Sequence, residues 1–140
     1  MCQYSKTKEF TILKEDMVVY KIMSPIWIDL KTNKPKLTSP YQSYAFTLGK
    51  THTVTKKGIK NGITKFLHIM DHYYPYTITV GFHSFTKERD AIYQAKQWGR
   101  SLTKCIIPKG SSVIFGTFGI GDSMLETVVS NKIKVIEIIE

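Results

Sequence analysis

The sequence predicts an α+β fold with a mostly antiparallel β-sheet that is strongly curved or split into two halves. Three observations carry that expectation. Residues 87–98 are the one stretch with a clear helical pattern, and runs rich in β-branched and aromatic residues stand both before and after it. The 140 residues, with 42% hydrophobic content, are about one domain's worth and enough to bury a core without disulfides or a structural metal. A single domain spanning residues 1–140, with a polar leader over 1–16, is therefore expected.

The elements follow in order. Met17, Val18, Val19, Tyr20, Lys21, Ile22 and Met23 read as a buried strand, stopped by Ser24-Pro25. Residues 29–40 carry Pro35, Pro40 and three lysines, which predicts a long surface loop. Residues 41–48 alternate as a strand that ends at the Gly49-Lys50 turn signal, with 51–55 as a short extended continuation and 56–61 as an exposed turn. Over 63–76 two readings stand: Phe66, Leu67, Ile69 and Met70 fit one helical face, whereas the β-branched and aromatic content from Tyr73, broken by Pro75, fits an irregular lead into a strand. Ile78, Val80 and Phe82 then share one side of an alternating strand that runs on to Phe85.

The helix over 87–98 is the sharpest expectation. Thr86 can cap it, Glu88 lies in its first turn where the helix dipole favours an anion, and Ala91, Ile92, Ala95 and Trp98 form one apolar stripe. Gly99 ends it. The last third reads as β structure: strands over 102–107 and 113–115 joined by the Pro108-Lys109-Gly110-Ser111 turn, a glycine-rich loop over 116–121 able to act as a lid, and strands over 123–129 and 133–139 joined at Asn131-Lys132.

Composition narrows the function classes. No apolar run reaches the length of a membrane span, and no apolar segment follows the first charges as in a signal peptide, so a cytoplasmic protein with no membrane partner is expected. Cys2 and Cys105 make neither a disulfide framework nor a C-x-x-C site; an exposed thiol and one buried in a strand are expected. A net charge of +9 favours anionic partners. Only Arg89 and Arg100 are arginines, which argues against sequence-specific DNA reading, because base-edge contacts lean on the bidentate guanidinium. The lysines are dispersed, with Lys31, Lys34 and Lys36 in one polar segment and Lys56, Lys57 and Lys60 in another, so solvated surface charge competes with a functional patch.

Candidate chemistry centres on the segment Gly81-Phe82-His83-Ser84-Phe85-Thr86. A strand ending directly at a capped helix would gather an imidazole, hydroxyls and free backbone N–H groups, and a helix start lowers a histidine pKa and keeps the ring neutral. His68 and His72 would share a face if their segment were helical, the geometry of two metal ligands, but no third ligand stands at a matching spacing; no metal is expected. There is no G-x-S-x-G elbow, phosphate loop or dinucleotide fingerprint. Tyr41, Tyr44, Tyr73, Tyr74 and Tyr76 could stack on bases or anchor a protein partner.

Two resemblances meet at these residues. The pairing of Tyr44-Ala45-Phe46-Thr47-Leu48-Gly49-Lys50-Thr51-His52 with Gly81-Phe82-His83-Ser84-Phe85 resembles a domain of unknown function found in small phage and prophage proteins, over roughly residues 17–139. More distantly, the order of Tyr20-Lys21, the Gly81–Phe85 segment with its helix, Ile106-Ile107-Pro108-Lys109-Gly110-Ser111 and Leu125-Glu126-Thr127-Val128 is similar to ADP-ribosyltransferase-like folds. That second resemblance implies NAD as cofactor and catalytic positions at Lys21, Ser84 and Glu126. Lys21 departs from the family's Arg or His, because an ammonium does not reproduce its hydrogen-bond geometry toward the nicotinamide riboside, so a degenerate scaffold that binds without turnover is implied.

The leading expectation is thus a small phage-type binding protein without a cofactor, acting in a host cytoplasm and interfering with a host process such as defence. Its ligand would be a nucleotide-like anion or a host macromolecule, held by His83, Ser84, Thr86, Lys21, Tyr44, Lys50 and Arg89. The alternatives are a divergent NAD-using ADP-ribosyltransferase-like enzyme and a non-specific binder of single-stranded nucleic acid.

Overall fold

The structure is a computed structural model that describes residues 11–39, 45–54, 63–69, 72–78, 81–97, 99–118 and 125–139. Among the described residues, eight strands form one sheet in which every neighbouring pair is antiparallel. They are β1 (Thr11–Ile12), β2 (Met17–Met23), β6 (Thr51–Thr53), β9 (Phe82–Phe85), β10 (Ser101–Ile107), β11 (Ser112–Phe118), β12 (Leu125–Ser130) and β13 (Lys132–Ile138), in the spatial order β1-β11-β12-β9-β2-β10-β13-β6. A three-stranded sheet of β3 (Trp27–Asp29), β4 (Lys34–Thr38) and β5 (Ala45–Phe46) and a two-stranded sheet of β7 (Ile63–Ile69) and β8 (His72–Ile78) accompany it. The helix α1 spans Glu88–Gln97.

Alternation along the central strands separates two faces. On one, Val19, Met23, Phe82, Cys105, Ile107, Val113, Val128, Ile133 and Val135 form the main core, closed by Leu37 of β4 and Phe46 of β5. On the other, Ile22, Phe85 and Leu102 pack against Ala91 and Ala95 of α1. Two small residues on the helix let it approach β2, β9 and β10 closely, and each large side chain so buried contributes about 1.5–3 kcal/mol. Helix capping differs from the expectation at one end and meets it at the other. The Lys87 carbonyl accepts the first helical bond from Ala91 N–H, so Lys87 stands at the N-cap, and the Thr86 hydroxyl faces Glu126 instead. At the far end Gly99 adopts φ +60° and the Arg100 and Gly99 N–H groups donate to the Ala95 and Lys96 carbonyls, a Schellman closure.

The middle of the large sheet is its least paired seam. β10 pairs with β2 along all seven residues, from Ser101 opposite Met23 to Ile107 opposite Met17, whereas β9 meets β2 at the single bridge Tyr20 opposite Phe85. Within this one sheet, two well-paired halves therefore join across a narrow contact.

Several segments differ from the sequence expectation. Residues 29–40 are not a loop: β3 and β4 form a hairpin with Trp27 opposite Lys36, and β4 continues to β5 with Leu37 opposite Phe46. The turn is fixed by the Asp29 carboxylate, which accepts the Lys31 N–H at 2.9 Å, and by Asn33 at φ +54°, a conformation its short side chain tolerates. Pro35 is accommodated because β5 pairs only with Leu37 and Thr38, so at Pro35 one side of β4 needs no donor. Residues 63–69 and 72–78 pair as antiparallel strands, not as a helix, and His68 and His72 stand on successive rungs opposite Tyr73 and Ile69. The single strand expected across 77–85 is two: β8 ends at Ile78 and β9 begins at Phe82. Gly116 and Phe118 belong to β11, which shortens the expected lid loop; the exposed turn over 56–61, Cys2, Met70, Val80, Trp98 and residues 119–121 lie outside the described residues. β1 pairs Thr11 with Val113, so part of the expected leader is a sheet edge.

Candidate functional site

Two regions carry the polar chemistry. The first is the seam between β2 and β9. Lys21 is 7% exposed, and its ammonium donates to the His83 carbonyl at 2.7 Å and lies 5.6 Å from the centre of the Phe46 ring. Where the ladder opens after Tyr20–Phe85, this side chain supplies the donor that a backbone N–H would otherwise give. Burial lowers the Lys21 pKa from 10.5 to about 8, against a smaller opposing pull from Cys105. Burial likewise raises the Cys105 thiol from 9.0 to about 11, while contact with the Thr103 hydroxyl at 3.6 Å and the charge of Lys21 act the other way. The Thr103 hydroxyl also sits 2.9 Å from the Lys21 carbonyl, to which it donates.

Of the residues singled out by sequence, Lys21 and Ser84 come together on the core face of neighbouring strands. Ser84 is fully buried and its hydroxyl has no hydrogen-bond partner among the described residues. His83, one residue before, stands on the opposite, helix-covered face beside Val129 and is buried. Imidazole and hydroxyl thus do not converge on one point. Thr86 is half-buried, and its hydroxyl lies 3.4 Å from the Glu126 carboxylate, which also sits 3.7 Å from the Lys87 ammonium. The helix start therefore already has an anion beside it, supplied by the chain itself. Glu126 alternates with Val128 and so shares the face of Ser84 and Lys21, at the exposed end of β12. Arg89 is exposed beside Asp90 at 3.7 Å, and Lys50 is exposed; Tyr44 lies outside the described residues.

The second region is accessible. β5 covers β4 only at Leu37 and Thr38, and the chain then leaves toward Thr47 and Leu48, which opens a groove of about 490 Å³ beside Lys34, Pro35 and Lys36. Its apolar wall is Pro35, Leu37, Phe46 and Leu48; Thr32, Thr47, Lys34, Lys36 and Asp29 give it hydroxyls and charge. The Thr47 side is pinned from below. His52 is buried, its Nε2 accepts the Thr47 N–H at 3.0 Å, and its ring meets Phe46 edge-on with centroids 5.1 Å apart. Burial first, and the Lys50 charge after it, hold the His52 pKa below 6.5, and the accepted bond requires the ring to be unprotonated at Nε2.

This groove was not read from the sequence, because the lysines and prolines of 29–40 look like a solvated loop. The signal that could have found it is the alternation of Trp27, Ile28 and Asp29 before the Asn33 turn, followed by Lys34, Pro35, Lys36 and Leu37, a hairpin pattern. Among the described residues no group of three or more His, Cys, Asp or Glu is placed to hold a metal ion, and no helix is long and apolar enough to cross a membrane.

Among the described residues, fold and sites together define an α+β protein built on an antiparallel sheet with one covering helix, carrying a buried lysine seam and an open lysine-flanked groove. No family model, curated protein or solved structure matches the chain.

Proposed function

We propose that this chain is a small phage-type binding protein that takes a nucleotide-like anion in the groove beside β4 and does not turn it over. The observation that carries the reading is the groove itself. Its volume of about 490 Å³ lies within the roughly 300–1,000 Å³ of small-molecule sites, and an apolar wall for a base faces lysines for phosphate and threonines for a sugar. The burial of Lys21 and Ser84 supports a role for them in holding the seam. The resemblance of residues 44–52 and 81–85 to phage and prophage proteins supports a setting in a host cytoplasm, where sequestering a nucleotide signal would interfere with a host process such as defence.

A thermal-shift panel of mononucleotides, cyclic dinucleotides and ADP-ribose derivatives tests the reading. A true ligand at 100 times its Kd stabilises the protein by about 2.7 kcal/mol. The expected result is a shift with one ligand class that the Lys34→Ala, Lys36→Ala double variant loses while the free protein melts unchanged. A panel without any shift, or a shift indifferent to that variant, overturns it.

A second reading, a divergent ADP-ribosyltransferase-like enzyme using NAD, is favoured by one observation: Lys21, Ser84 and Glu126 fall on one face of the sheet, on β2, β9 and β12. Release of nicotinamide from NAD, abolished by Glu126→Gln, is its expected signature, and intact NAD after prolonged incubation removes it.

A further inference from the structure

The β3–β4 hairpin presents an apolar tip that the groove does not use. Trp27 and Ile28 are consecutive in a strand and so lie on opposite faces of the ribbon, yet they are 56% and 52% exposed. Both faces of the outer hairpin are therefore open to water, the Ile28 face beside the groove that Pro35 lines. At its turn Leu30 is 94% exposed, held there by the Asp29 bonds to Lys31 N–H and Asn33 N–H at 2.9 and 2.7 Å. Three large apolar side chains open to water within four residues of chain, at a hydrogen-bonded turn, point to an interaction site.

We infer that this hairpin is a membrane-docking tip for an anionic lipid surface. The rungs set a depth scale: Leu30 is at the turn, Ile28 lies two residues back and Trp27 three, roughly 10 Å from the tip at about 3.3 Å per residue. Interfacial elements sink about 5–10 Å into the boundary between headgroups and acyl chains. Leu30 thus reaches the acyl layer, while Ile28 and Trp27, set behind the Asp29–Lys34 rung, stay at the headgroup level, where the amphipathic ring of Trp27 is favoured. Lys31, Lys34 and Lys36 run along the same ribbon against one acid, Asp29, whose carboxylate is turned to the Lys31 N–H, and they match the negative charge of the leaflet. The apolar tip and the basic cluster supply the two contributions to interfacial binding, buried apolar area and attraction to anionic lipid. A nucleic acid would leave Leu30 and Ile28 in water, and a protein would need a matching pocket; hydrocarbon needs none. The inference shares Lys34 and Lys36 with the groove but rests on Leu30, Ile28 and Trp27, which do not line it, and it concerns surface association, on which the lack of a spanning helix has no bearing.

Co-sedimentation with phosphatidylcholine vesicles, with and without phosphatidylserine, tests it. The intact chain is expected to sediment with the phosphatidylserine vesicles, less so as salt rises. Leu30→Asp should lower partitioning at least tenfold while leaving the melting temperature and any nucleotide-induced shift unchanged. Replacing Lys31, Lys34 and Lys36 together by Gln should lower it roughly a hundredfold, at about fivefold per lysine. Failure of the intact chain to bind, or equal binding by Leu30→Asp, overturns the inference; the first outcome turns the tip toward a protein partner, the second reduces the contact to charge alone.

Discussion

Lys21 and Lys36 each stand over an aromatic ring at almost the same range, 5.6 Å from the centre of Phe46 and 5.7 Å from that of Trp27. Their surroundings are opposite. Lys21 is buried in the seam and braces the His83 carbonyl, whereas Lys36 is exposed on the β3–β4 hairpin. A cation over a ring is worth about 0.5–1 kcal/mol in water and about 2 or more when desolvated. The difference teaches that contact geometry alone does not say what a lysine is for. The buried one is committed to the fold, and the exposed one remains available to a partner.

The contrast can be pressed hardest with leucines from the same two regions. Leu37→Ala, in the core under the groove, should cost about 3 kcal/mol in urea denaturation, while Leu30→Ala at the tip should stay within about 0.5 kcal/mol. Equal losses would mean that the hairpin tip is packed after all. Lys21→Met keeps the length of the side chain but leaves the His83 carbonyl without its donor, so a loss of about 2 kcal/mol is expected, against almost none for Lys36→Met. A more stable Lys21→Met protein would show instead that the cost of burying the charge outweighs the brace.

Proton linkage sharpens the same comparison. Lys21 has a folded pKa of about 8 and an unfolded one of 10.5, so between them the unfolded chain binds the proton that the folded one sheds, and stability rises with pH. Cys105 has a folded pKa of about 11 and an unfolded one of 9.0, so across that window the folded chain keeps the proton and stability falls. Unfolding free energy should therefore climb from pH 8 to pH 9, with a slope below about 1.4 kcal/mol per pH unit, and flatten above. In Cys105→Ala the climb should continue toward pH 10.5, and in Lys21→Met it should vanish; a flat profile for the unaltered chain would contradict the buried ammonium. The smallest effect expected is that of Thr103→Val, about 1 kcal/mol, from loss of the hydroxyl bond to the Lys21 carbonyl.

What the sequence made legible follows from how local the signal was. β2 matched its apolar run residue for residue, and α1 ended at Gly99 as expected, because a buried strand and a left-handed helix stop are written in adjacent residues. The face on which a residue lands is less local. Alternation alone puts His83 and Ser84 on opposite sides of β9, yet the burial of both depends on α1 and on Leu37 and Phe46, which come from distant parts of the chain. The groove was invisible for a related reason: it exists because β5 stops pairing after Leu37 and Thr38, a fact about strand partners that no run of residues states. The sequence singles out Lys21 as a site residue through a resemblance; that it braces a carbonyl follows only from the opening of the ladder, which gives its ammonium the His83 oxygen to hold.

The pairing of β2 with β10 also sets a timetable for synthesis. Met17–Met23 is made some eighty positions ahead of the residues that pair with it along its whole length, Ser101–Ile107. At about 5–20 residues per second that gap lasts roughly 4–16 seconds. For that interval an apolar strand has no long partner, which makes this segment the natural target for a chaperone and the place where truncated chains would aggregate.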